Sequence, residues 1–124
     1  MMQTLLSAVA TTGAGSSFHL GDGKRITFLH KHAVMWYFTV GSGDAVTALT
    51  LALEGSLDGV HWFTLGTSSA SADELTNQCG AFTIIDKLVE YVRANITTLT
   101  KTGSGGSHAV TVTYAPAFLR TSGA

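Results

Sequence analysis

Apolar residues in this chain come in short runs of strand length, each closed by Gly, Asp or Ser, and no stretch of ten or more residues carries a helical stripe. A period of two puts alternate side chains on opposite faces of a strand, whereas a helix repeats its buried face every three to four residues. The pattern excludes a helical bundle and predicts β-structure along the chain. In Val46 to Glu54, Leu49, Leu51 and Leu53 alternate with Thr50, Ala52 and Glu54, so one face of this strand points into a core. Val92, Ala94 and Ile96 alternate with Arg93, Asn95 and Thr97, and Val110, Val112 and Tyr114 with Thr111 and Thr113. Val89 to Thr98 and Val110 to Tyr114 read as a hairpin whose exposed, disordered tip is Gly103-Ser104-Gly105-Gly106-Ser107.

Further strands are expected at Gln3 to Val9, Ser17 to Leu20, Arg25 to His30, Ala33 to Val40 and Phe82 to Ile85, with a break or bulge at Lys31-His32. Turns fall at Thr11 to Ser17, Gly21 to Gly23 and Gly41 to Asp44. Gly55 to Gly59 joins Val46 to Glu54 to a partner strand, His61 to Leu65. Asp58-Gly59 suits that turn because Gly readily takes a positive φ and Asp tolerates it. Asp58, Gly59 and Trp62 are thus structural residues of the hairpin, with Trp62 or Phe63 facing the core. Asp73 to Leu75 can start a single helical turn. Strands at this density predict one all-β domain over residues 1–124, an antiparallel β-sandwich of either jelly-roll or immunoglobulin-like topology.

Charge narrows the function classes. Seven Lys and Arg against eight Asp and Glu leave a net charge of −1, with no basic run to track a nucleic acid. Charged residues make up 12% of the chain, so little opposes self-association. The longest apolar run, Ala33 to Phe38, is too short to span a bilayer, and no targeting segment is visible, so synthesis in the cytoplasm and no membrane partner are expected. Cys79 is the single cysteine; it forms no intrachain disulfide and reads as a small, half-buried apolar residue.

No residues assemble into a recognisable reaction centre, so no enzyme and no cofactor are expected. His30 and His32 share one strand face, as two metal ligands would, but a third ligand is missing nearby; they read as a polar pair on an exposed or interfacial strand, with no metal. Asp58 beside His61 is accounted for by its turn. Gly103 to Ser107 lacks the Lys and following helix of a phosphate-binding loop. Trp36, Tyr37, Trp62, Phe63 and Tyr91 form either a sugar-binding platform or, by the favoured reading, mostly core. Arg93 lies on the outward face of its strand, free to pair with a carboxylate or stack on a ring.

Leu53-Glu54-Gly55-Ser56-Leu57-Asp58-Gly59-Val60-His61-Trp62 resembles a strand-turn-strand signature of small tailed-bacteriophage virion proteins. So does Tyr91-Val92-Arg93-Ala94-Asn95-Ile96-Thr97, followed by a Gly/Ser loop and Val110-Thr111-Val112-Thr113-Tyr114. The opening Thr4-Leu5-Leu6 and Thr12-Gly13-Ala14-Gly15 is similar to their usual start. The resemblance implies a structural protein located in the virion: a capsid decoration (cement) protein on the major capsid protein lattice, or a neck, tail or baseplate component. Its partners would be the major capsid protein or other virion proteins and further copies of itself, a trimer among the candidates. The alternative is a carbohydrate-binding module contacting host-surface glycans, since similar hairpins occur there.

One strand carries the expected contact. Val34, Trp36, Phe38 and Val40 share one face, and Met35, Tyr37 and Thr39 share the other. Both are mostly apolar, so the second needs cover. Either Thr67 to Gly80 folds over it, or Met35, Tyr37 and Thr39 form an interface with another chain.

Overall fold

The computed structural model describes residues 2–20, 29–103 and 107–118. In chain order the elements are β1 (Gln3–Val9), β2 (Gly13–Ala14), β3 (Phe18–His19), β4 (Leu29–Val40), β5 (Ala45–Ser56), β6 (Phe63–Ser69), α1 (Ala72–Asn77), β7 (Cys79–Ile85), β8 (Tyr91–Thr102) and β9 (His108–Phe118). One sheet has the order β1-β9-β4-β7 and the other β2-β8-β5-β6, with β3 also on β8. Every pairing is antiparallel. Of the longer strands only β5 and β6 are both consecutive and paired; β4 to β5, β6 to β7, β7 to β8 and β8 to β9 each cross from one sheet to the other. This is the jelly roll, the two-sheet arrangement of interlocked Greek keys.

The core is the space between the sheets, filled by the alternation visible in the sequence. Leu49, Leu51 and Leu53 of β5 and Val92, Ala94 and Ile96 of β8 meet Val34, Trp36 and Phe38 of β4 and Val110, Val112 and Tyr114 of β9, all buried. The Trp36 and Phe38 rings stack with centroids 6.1 Å apart. Gly80 lets β7 pass over that indole: a Cβ there would fall 2.5 Å from Trp36 Cζ2.

The core also holds a polar pin. His32 is buried; its Nε2 lies 2.7 Å from the Lys87 carbonyl and its Nδ1 2.6 Å from the Tyr114 hydroxyl. A carbonyl only accepts, so Nε2–H donates to it, and in the neutral ring Nδ1 accepts from Tyr114. Burial pushes the Tyr114 phenol far above its ordinary pKa, which keeps it a donor. The pin ties the β7–β8 loop to β4 and β9.

Several expectations need correction. β8 and β9 are not a hairpin: β8 pairs with β5, and β9 with β4 and β1. Both strands have an apolar face, and two such faces are satisfied equally well by stacking across the core as by pairing edge to edge. β4 does not break at Lys31-His32; its register shift with β9 falls between Leu29 and Lys31. The partner of β5 starts at Phe63, so His61 and Trp62 belong to the turn. Neither Trp62 nor Phe63 faces the core, because Leu65 takes the buried position. His32 is not on an exposed or interfacial face. Cys79 is exposed rather than half-buried. By contrast, the helical turn expected at Asp73 to Leu75 is present as α1, closed by a capping box in which Ser71 Oγ accepts from the Glu74 N–H and Glu74 Oε1 accepts from the Ser71 N–H. Gly21 to Gly23, most of Arg25 to His30 and Ser104 to Gly106 lie outside the described residues. The flanks of that last loop are held: Ser107 N–H donates to Asp44 Oδ2 at 3.0 Å.

Candidate docking surface

The outward face of the β1-β9-β4-β7 sheet is built by pairing register. Met35 lies between Ala81 and Thr113, Tyr37 between Cys79 and Thr111, and Ala33 between Thr83 and Ala115. Lys31 pairs with Ile85, and Thr39 with Ala109. Thr4 of β1 pairs with Thr113. Among the described residues of this face, Lys31 at one end is the only charge. Met35 and Tyr37 are 39% and 40% exposed, and Met2 and Ile85 more so. A depression of about 100 Å³ runs between Met2, Met35, Ala81, Thr83, Thr113 and Ala115. Small-molecule sites usually span about 300–1,000 Å³. The depression is therefore surface relief that a protein partner can fill, not a ligand cavity.

Met35, Tyr37 and Thr39 thus sit together on one exposed face. Thr67 to Gly80 does not cover them, because it forms the end of β6, the helix and the start of β7. Sequence reasoning missed the contributions of β7 and β9. The signal for β7 was present: Cys79 to Ile85 contains no charged residue.

The opposite sheet carries a different surface. Arg93 Nε donates to Glu54 Oε1 at 2.6 Å, and Asn95 Nδ2 donates to Glu54 Oε2 at 3.1 Å. The Arg93 guanidinium lies 4.3 Å over the Trp62 ring. Tyr91 stacks on His19 at 4.2 Å. Of the five aromatics expected mainly in the core, only Trp36 is there. Tyr37 and Phe63 are exposed, and Trp62 and Tyr91 are half-buried, stacked on the Arg93 guanidinium and the His19 ring. The rings that do fill the interior are Trp36, Phe38 and Tyr114.

The turn after β5 gathers Ser56, Asp58 and His61, the residue types of a hydrolytic triad, in a different arrangement. Asp58 Oδ1 accepts from the His61 and Val60 N–H groups, each at 2.8 Å, and from Ser56 Oγ at 3.0 Å. Asp58 Oδ2 lies 2.7 Å from His61 Nδ1. The His61 N–H and imidazole, then Val60 and Ser56, hold the Asp58 carboxyl well below its ordinary pKa. Ser56 Oγ is buried and engaged with Asp58 and the Gly59 N–H, so His61 has no hydroxyl to activate. Gly59, at φ 79°, closes the turn. Trp62 then leaves it toward Arg93. No group of three or more His, Cys, Asp or Glu that could hold a metal ion is found among the described residues. No helix among them is long and apolar enough to cross a membrane.

No family model and no curated protein matches the sequence. Among solved structures, the chain is similar to the PBSX exported protein XepA, with a TM-score of 0.60 and 12% identity over 98% of this chain and 38% of that one. It thus spans well under half the length of XepA. It is also similar to a chain of an expanded equine rhinitis A virus particle, a picornavirus capsid, with a TM-score of 0.49 and 9% identity over 94% of this chain and 72% of that one. At such identities the first likeness shows a shared fold only, and the second is too distant to carry an argument.

Proposed function

We propose that the chain is a structural component of a bacteriophage virion, a capsid decoration protein that docks on the major capsid protein lattice and has no catalytic activity. The observation that carries this reading is the outward face of the β1-β9-β4-β7 sheet, uncharged among its described residues apart from Lys31. The resemblance of the β5–β6 and β8–β9 segments to small virion proteins gives the reading its class of particle. Jelly rolls serve in viral capsids and also in lectins, so the fold alone does not choose between them. The surface does. Trp62 and Tyr91, the rings a glycan platform needs, already stack on Arg93 and His19, whereas Met35 and Tyr37 lie open among small neutral neighbours. Many weak contacts repeated over a lattice add to firm attachment.

The test is co-sedimentation of the purified protein with assembled capsid shells, compared with Tyr37→Asp. A charge at the centre of the face should abolish pelleting while circular dichroism stays unchanged. A folded Tyr37→Asp variant that still pellets like the parent overturns this face as the docking surface. Binding to isolated tails but not to shells replaces decoration by a tail or baseplate role. Binding to glycans alone favours the carbohydrate-binding alternative.

A further inference from the structure

The two sheets end in edge strands, and these differ in how they are protected. An open edge presents unpaired N–H and C=O groups to any other strand, and proteins commonly blunt it with charges, Pro, bulges or short strands. β1 has two register shifts against β9, with Ala8 inside the second at φ 51°. β2 and β3 are two residues each. β6 shifts register against β5 between Leu53 and Glu54. β7 has none of these devices. Its seven residues pair with β4 from Lys31↔Ile85 to Tyr37↔Cys79 without a shift, and none is charged or Pro. Among the described residues no strand pairs with its other side.

The geometry points to a second copy of this chain as the occupant: we infer that two copies join β7 to β7 antiparallel about a twofold axis at Phe82. The Gln78 carbonyl accepts from the Phe38 N–H at 3.0 Å. Main-chain groups alternate sides along a strand, so the even residues of β7 turn theirs to β4. Cys79, Ala81, Thr83 and Ile85 turn theirs to the open edge. An antiparallel pairing centred on Phe82 matches Cys79 with Ile85 and Ala81 with Thr83 of the other copy. All four are edge-facing, so every exposed group finds a partner, in roughly eight hydrogen bonds at two per bonded pair. The strand is also bounded alike at both ends, by Gln78 at φ 64° and Asp86 at φ 62°. Both boundaries then fall together in the pair. Uncharged against uncharged is self-complementary, which a twofold contact requires.

The pairing makes one eight-stranded sheet, with the neutral faces of both copies side by side. It goes beyond the proposed function and does not depend on particle binding. The test is the mass of the isolated protein by sedimentation equilibrium from micromolar to millimolar concentration. The expected result is a particle of twice the 12.9 kDa chain mass. Ala81→Pro removes an edge-facing N–H but no bond to β4, a site where edge strands tolerate Pro, and should weaken the dimer about a hundredfold or more. In a Cys79→Ser background, Phe82→Cys should form an intermolecular disulfide, because directly opposed residues at a non-bonded pair lie about 4.5 Å apart between Cα atoms. The second variant keeps the register testable if Ala81→Pro does not fold. A monomer throughout the range, a trimer, or a folded Ala81→Pro dimer as tight as the parent overturns the inference. A monomer that still pellets with shells through Tyr37 would defeat the dimer and leave the decoration reading standing; a dimer that ignores shells would do the reverse.

Discussion

Asp58 shows how much one carboxylate can organise. It receives hydrogen bonds from Ser56, Val60 and twice from His61, and so sets the path from β5 to β6. These donors favour the charged form, so the carboxyl titrates lower in the folded chain than its ordinary value of 3.8. Between the two values the unfolded chain holds the proton and the folded chain does not. Stability therefore falls as pH falls through that window, and the contribution is complete above it. Asp58→Asn should be less stable than the parent at neutral pH, and the gap should narrow as pH drops below the ordinary value. Urea denaturation at a series of pH values checks this; a gap that stays constant into strong acid would mean the charge of Asp58 is not what matters. Arg93 stands on β8, the other neighbour of β5 in the same sheet. Its outward position was legible in the alternation of β8, but its choice of Glu54 and Trp62 required β5 and the turn to be placed beside it.

At the scale of elements, β5 lies between β8 and β6, and its leucines Leu49, Leu51 and Leu53 are buried. Leu51→Ala removes a fully buried core side chain, and it should cost about 2–5 kcal/mol where the site does not collapse. An unchanged denaturation midpoint would contradict the inward face assigned to β5. The helix has the opposite character. None of its six residues is buried, and it serves as a capped corner between the last strand of one sheet and the edge strand of the other. The Ser71 and Glu74 spacing that closes it stands plainly in the sequence, but a corner this short carries no apolar stripe to announce it.

At the scale of the whole molecule, burial of apolar faces between two sheets needs no metal to complete it. Both His32 nitrogens are already engaged, with Tyr114 and the Lys87 carbonyl. A chelator should therefore leave the melting temperature unchanged, and a fall of several degrees restored by zinc would reveal a site these contacts do not account for. The molecule's two broad faces divide its surface chemistry: a charged and stacked network around Glu54, Arg93 and Trp62, and a neutral face around Met35 and Tyr37. That division, rather than any pocket, underlies the proposed attachment to a particle.

The sequence by itself determined the class of fold and the direction of most side chains. A period of two is a local property: it tells Leu51 from Ala52 and Trp36 from Tyr37 without knowledge of the neighbours. It also exposed the strand with two apolar faces, and the turn at Asp58. Which strands pair was decided only in three dimensions, because an apolar face is indifferent to whether its cover comes from across the core or from a hairpin partner. Hence β8 and β9, adjacent in sequence, lie in different sheets. The fate of His32, Trp62 and Cys79 followed from that topology. His32 meets Tyr114 and Lys87 only once β9 and the β7–β8 loop close around β4, and Cys79 stands exposed because β7 is an edge.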